Sequence, residues 1–254
     1  MEPSIEILLH IYLFVFGLLF GSFFNVVGLR LADKESIVTP RSHCTKCQRT
    51  LKISELIPVF SYLFQKGKCK ECGSKISIIY PAFELLTAIL FAIAPFMVGW
   101  SKELFVVLAL ISLVMIVTVS DIYKMIIPNK VLLFFTPLII IIRLFVPTDP
   151  WFDAYLGAVI GFLILFIIAV VSRGGMGGGD IKYFGVLGFF LGVKAVVLTL
   201  IVASFLGLIY GVIMRMSNKL KKKQAIPFGP FIGIAALISY FTSTYIWDLY
   251  LSFI

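Results

Sequence analysis

Arg173-Gly174-Gly175-Met176-Gly177-Gly178-Gly179-Asp180-Ile181-Lys182 lies between two long apolar segments, and the rest of the chain is understood from it. Five of its first seven residues are glycine. Without a Cβ, such a loop reaches unusual backbone angles and lets another chain approach closely. A carboxylate beside such a loop, at the edge of an apolar segment, reads as a site. The plain alternative is a flexible turn ending in a helix cap, because Asp is a good N-cap.

The flanking segments belong to a chain of 254 residues that is 60% hydrophobic and 14% charged, with a mean hydropathy of +1.06. A soluble domain is nearer half apolar and a quarter charged, so the chain reads as a multi-spanning, all-α membrane protein. Candidate spans fall at about 7–29, 80–99, 104–120, 131–147, 154–172, 181–193, 195–214 and 230–247, the sixth of them short. That predicts eight transmembrane helices, or seven if the pair around Lys194 is one kinked helix. The N-terminus lacks the basic flank of a cleaved signal, so the first span is expected to stay.

Charge orients these spans. Loops 30–79, 121–130, 173–182 and 215–224 hold 19 of the 22 Lys and Arg residues. The positive-inside rule places them in the cytoplasm and both termini outside. The net charge of +9 is mostly this asymmetry, with anionic membrane lipids as its default partners and no nucleic acid expected. The division read from sequence is a first transmembrane helix at 1–29, a cytoplasmic loop domain at 30–79 and a polytopic membrane domain at 80–254.

All four cysteines lie in that loop, as Cys44-x-x-Cys47 and Cys69-x-x-Cys72 separated by 21 residues. Two such knuckles suit one tetrahedral Zn²⁺ in a closed structural site. A reducing cytoplasm disfavours disulfides. His43 is not needed as a ligand beside four thiolates.

Three more polar residues stand at span boundaries. Arg30 ends the first span after Gly21-Ser22 and Asn25, which read equally as a packing face with a snorkelling arginine. Glu84 lies one turn inside the second span, where it is either functional or a first-turn acid favoured by the helix dipole; Arg30 is a candidate partner. Asp121 closes the third span, before Ile127-Pro128-Asn129. Between Asp121 and Asp180 the chain crosses the membrane twice, so both carboxylates return to the same side. Two close carboxylates do not both ionise, which leaves one as acid and one as base. Pro227-Phe228-Gly229-Pro230 reads as a rigid turn, or a plain one, into the last helix.

Together these residues resemble the type IV prepilin peptidase family, membrane aspartyl proteases with a Gly-x-Gly-Asp motif. Gly177-Gly178-Gly179-Asp180 with Lys182, Asp121 with Ile127-Pro128-Asn129, Gly21-Ser22-Phe23, the paired knuckles, Pro81 with Glu84, and Pro227 to Pro230 match in order along nearly the whole chain. Ala32 departs from the proline often found two residues after the arginine of the first motif. The cysteine-bearing loop resembles the longer, bifunctional members.

The resemblance implies an enzyme of the bacterial cytoplasmic membrane that cuts the basic leader from type IV prepilins or pseudopilins. The cut follows Gly, usually precedes Phe, and lies on the cytoplasmic side. Bifunctional members then N-methylate the new terminus with S-adenosylmethionine. Such products serve type IV pili, secretion or competence. Asp121 and Asp180 take the catalytic roles, Cys44, Cys47, Cys69 and Cys72 bind zinc, and Gly177, Gly178, Gly179, Lys182, Arg30 and Glu84 position substrate or donor. The rival readings are a proton- or cation-coupled transporter using Asp121 and Asp180, and a membrane scaffold that recruits a partner through its zinc loop.

Overall fold

The structure is a computed structural model that describes residues 3–173, 175–217 and 226–252. Gly174 and most of the basic loop expected at 215–224 lie outside the described residues. The described residues form eight α-helices: α1 Pro3–Ala32, α2 Phe60–Phe64, α3 Ile79–Val98, α4 Glu103–Lys124, α5 Asn129–Phe145, α6 Asp153–Val171, α7 Gly178–Met216 and α8 Gly229–Leu251. Among the described residues there are no strands, only two isolated bridges. The chain divides into two units, 1–104 and 105–254.

In the first unit α1 and α3 form an antiparallel pair. Gly17 and Gly21, four apart, let the backbones touch: a Cβ on Gly17 would lie 2.6 Å from Ala88 Cα, and one on Gly21 2.8 Å from Glu84 Cα. This is the small-residue contact that lets helices associate where lipid removes any hydrophobic drive. One turn further, Asn25 Nδ2 donates to Tyr80 O at 3.1 Å. The opposite face of α1, with Ile7, Leu8, Ile11, Tyr12, Val15 and Leu19, is exposed as a lipid-facing helix requires.

In the second unit, α4 buries Val106, Val107, Leu110, Leu113 and Val117 completely. Among the described residues, six helices are long and apolar enough to span a membrane, and α7 among them has 39 residues. A straight α-helix of that length would run about 58 Å, roughly twice the hydrocarbon thickness. It does not run straight. Gly192 has φ +72° and breaks the helix. A Cβ on Gly161 of α6 would lie 2.8 Å from Phe184 O and 2.9 Å from Val196 Cγ2, residues on opposite sides of the break. On Gly157 it would lie 2.7 Å from both Gly188 O and Gly192 Cα. Moving along α6, contacts retreat along one leg and advance along the other, so α7 is a hairpin of two antiparallel legs.

The turn is satisfied by two charged side chains. Arg143 of α5 donates from Nε to Phe189 O at 3.2 Å and from a terminal nitrogen to Phe190 O at 2.5 Å. These are the carbonyls that end the first leg. Asp153 Oδ1, at the start of α6, accepts from Val193 N at 3.3 Å and caps the second leg. Counting each leg, and adding the 17-residue α5 at the short end of the spanning range, gives the eight crossings read from the sequence. The segment around Lys194 is two antiparallel helical legs, not one kinked helix.

Candidate active site

Asp121 sits in the last turn of α4 and Asp180 in the first turn of α7, and the two carboxylates lie close enough to interact electrostatically. Asp121 is buried, whereas Asp180 is half-buried. A backbone N–H holds each. Gly229 N, at the start of α8, donates to Asp121 Oδ2 at 2.7 Å. Gly177 N donates to the Asp180 carboxylate. Helix N-termini present such N–H groups to anions.

The glycine run has specific work at two positions. A Cβ on Gly177 would lie 2.7 Å from Asp180 Oδ2, and one on Gly179 would lie 3.1 Å from Ile127 Cβ. Gly179 thus seats the loop on the α4–α5 connection, and Gly177 leaves the carboxylate its place. Gly178 has open space around it. Lys182 Nζ donates to Asn129 Oδ1 at 3.1 Å, a second tie between the two motifs. The arrangement can carry general acid–base chemistry on a group bound between the carboxylates.

In the first unit, the Sγ atoms of Cys44, Cys47, Cys69 and Cys72 all lie within 4.8 Å of one another. A tetrahedral zinc with Zn–S bonds of about 2.3 Å has sulfur–sulfur edges of about 3.8 Å, and Cys44 Sγ and Cys72 Sγ are 3.8 Å apart. The donor set therefore fits a zinc ion. The two knuckles share one backbone pattern. Cys44 N donates to Arg49 O and Gln48 N to Cys44 O; Cys69 N donates to Ser74 O and Gly73 N to Cys69 O. Gln48 takes φ +60° where Gly73 takes +67°.

Backbone N–H groups aimed at the Cys44 and Cys69 sulfurs favour thiolate there, whereas Cys47, despite the N–H of Arg49, is pushed up to about 11 by burial and by hydrogen bonds with the other sulfurs. The Cys44 thiol is lowered to about 5, first by the N–H of Cys47, then by the Ser74 hydroxyl and the N–H of Lys46. Cys69 is lowered by the N–H groups of Cys72 and Glu71. Arg49 links the halves. It donates to Glu55 at 2.7 and 2.9 Å and pairs with Glu71 at 3.0 Å. Those Arg49 bonds, with the N–H of Lys52, pull Glu55 down to about 2.

Glu84 does not pair with Arg30. Its Oε2 accepts from Val59 N at 2.7 Å, and Ser22 supplies a second hydrogen bond. Val59 has φ +61°, an outlier for a β-branched residue, so the carboxylate anchors a strained point of the loop. Arg30 donates instead to Ser36 O at 3.1 Å. With Arg41, Ser42, Val26 and Leu56 it lines an open pocket of about 350 Å³. Opposite charge at one boundary suggested a pair, but the loop backbone reaches Glu84 first. The sequence marks the turn that carries Gly229 but not its N–H as part of the site.

Two family models match the chain: the bacterial peptidase A24 N-terminal domain over residues 15–98 and the type IV leader peptidase family over residues 108–212. A prepilin leader peptidase/N-methyltransferase of Bacillus subtilis is 48% identical over 228 residues, covering 90% of this chain and 92% of that protein. The protein of the same name in Neisseria gonorrhoeae is 33% identical over 265 residues, covering 92% and 90%. The one in Myxococcus xanthus is 36% identical over 215 residues, covering 82% and 64%. No solved structure matches the chain. The relatives are named for cleavage and methylation, and nothing supports the transport reading.

Proposed function

The chain belongs to the type IV leader peptidase family, and from that premise we propose that it removes the basic leader of type IV prepilins or pseudopilins at the cytoplasmic face of a bacterial membrane. We further propose that it methylates the amine so exposed. The observation that carries the reading is the meeting of Asp121 and Asp180 at one end of the helices, each with an oxygen held by a glycine N–H.

The ionised member of the pair takes a proton from a water, whose oxygen bonds to the scissile carbonyl carbon. The protonated member donates to the carbonyl oxygen as charge develops there. Collapse of the tetrahedral intermediate breaks the C–N bond. The nitrogen takes up a proton and leaves as the new amino terminus, while the leader keeps a carboxyl group. The glycine N–H groups fix the carboxylates and so supply positioning. The open backbone at Gly178 suits an extended substrate strand beside Asp180.

For methylation, the donor would be S-adenosylmethionine: the neutral amine bonds to its methyl carbon as the sulfur–methyl bond breaks, the donor leaves as the neutral thioether, and the amine proton passes to water. Arg30 and Arg41 offer guanidinium groups to a donor carboxylate in the pocket they line. Glu84, committed to Val59 and Ser22, acts on the shape of the loop instead. Four thiolates close the zinc site to substrate, so bound zinc would cross-link the two knuckles.

The test is incubation of the purified protein with a prepilin and S-adenosylmethionine, read by mass spectrometry. The expected products are the leader ending in Gly and a mature chain heavier by one methyl group. A prepilin left intact rejects the peptidase reading; cleavage with no methyl gain rejects the second activity.

A further inference from the structure

Tyr183 belongs to α7, three residues after Asp180, a spacing that stacks two side chains on one helix face. It is wholly buried. Its hydroxyl makes no hydrogen bond among the described residues. A buried hydroxyl without a partner costs stability. The neighbouring buried positions Phe184 and Phe190 carry phenylalanine, which would serve packing equally well here. The charges that act on the Tyr183 ring are Asp121, from α4, and Asp180, from its own helix.

Among the described residues of this unit, Lys124, Asp149, Arg173, Lys194 and Arg215 are exposed. Lys182 is exposed and bonded to Asn129, and Lys130 is exposed on α5. Arg143 and Asp153 hold the α7 turn. From α8 the dyad receives the N–H of Gly229, and Asp248 stands in that helix's far last turn.

We propose that the Tyr183 hydroxyl is the donor that holds one of the two carboxylates ionised, as the base, once substrate closes the site. Catalytic hydrogen bonds are often unformed in the free protein and tighten on binding. The hydroxyl has a hydrogen to give, and each carboxylate has one oxygen not taken by glycine. A donor to the charged form of a carboxylate favours that form. Tyr183 is thus a positioning residue that acts through the dyad, and this rests on the peptidase reading above.

The experiment is Tyr183→Phe in the full-length protein, with kcat, KM, the pH profile of prepilin cleavage and the thermal melting point measured beside wild type. We expect kcat to fall about tenfold to a hundredfold, the worth of one hydrogen bond to a charged group. KM should stay put, the acidic limb of the profile should move to higher pH, and melting should be unchanged or raised. An unchanged rate and profile would overturn the inference alone. So would a rate loss with a lowered melting point and an unmoved acidic limb, which is the mark of a packing role. Absence of cleavage by wild type would overturn both this inference and the reading it rests on.

Discussion

A single backbone N–H carries more of the candidate site than most of its side chains. Gly229 N lies 2.7 Å from Asp121 Oδ2, and a Cβ at that position would stand 2.9 Å from the same oxygen. Gly229→Ala must therefore push the carboxylate aside or open the start of α8. A displacement of about 1 Å at reacting groups can cost about a hundredfold in rate. We expect kcat/KM for prepilin cleavage to drop at least tenfold, toward that limit, with little change in KM. Equal activity in Gly229→Ala, measured in the same detergent, would remove the α8 turn from the site. At this scale the sequence was partly legible. Asp121 and Asp180 stand out because carboxylates at the ends of apolar helices are rare, whereas a main-chain donor has no side chain to betray it. Tyr183 reads as one more large residue in an apolar helix.

Among the elements, α7 and the cysteine loop each depend on one local device. In α7 the device is Gly192 at φ +72°, where any Cβ would strike the Asp153 carboxylate that caps the second leg. Gly192→Ala combines a left-handed backbone with this collision, and we expect it to cost more than about 1 kcal/mol. Thermal melting of the purified protein should show a clear loss, larger than that of an alanine placed at Val193. Hydropathy alone left seven or eight spans open, because the break is one glycine inside an apolar run. What decides it is the pairing of Arg143 and Asp153 with the turn, contacts across 40 and more positions that no local pattern displays.

The loop was more legible, since C-x-x-C spacing is itself a chelate geometry. Less visible was the matching turn in both knuckles, where Gln48 occupies the place of Gly73. We expect about one zinc per chain by metal analysis, and loss of it in the double variant Cys44→Ser, Cys69→Ser. Full zinc content in that variant would place the metal elsewhere.

Across the whole molecule, the proposed roles in cleavage and methylation fall on residues that the chain keeps apart in sequence. The cysteines and the Arg30–Arg41 pocket belong to residues 1–104, and both carboxylates to residues 105–254. The family models divide similarly, at 15–98 and 108–212. Charge is the basis of the proposed orientation: with 19 of 22 basic residues in alternate loops, the positive-inside rule would turn the end bearing Asp121 and Asp180 to the cytoplasm. The substrate's basic leader would meet that same side. Asp121→Asn and Asp180→Asn keep shape while removing a titrating group, so they separate chemistry from folding. Each purified variant should be assayed for cleavage of a full prepilin and for methyl transfer to a pilin that already begins with Phe. We expect each to lose cleavage to background while methyl transfer and zinc content stay near wild type. Substantial cleavage by either variant would contradict the dyad.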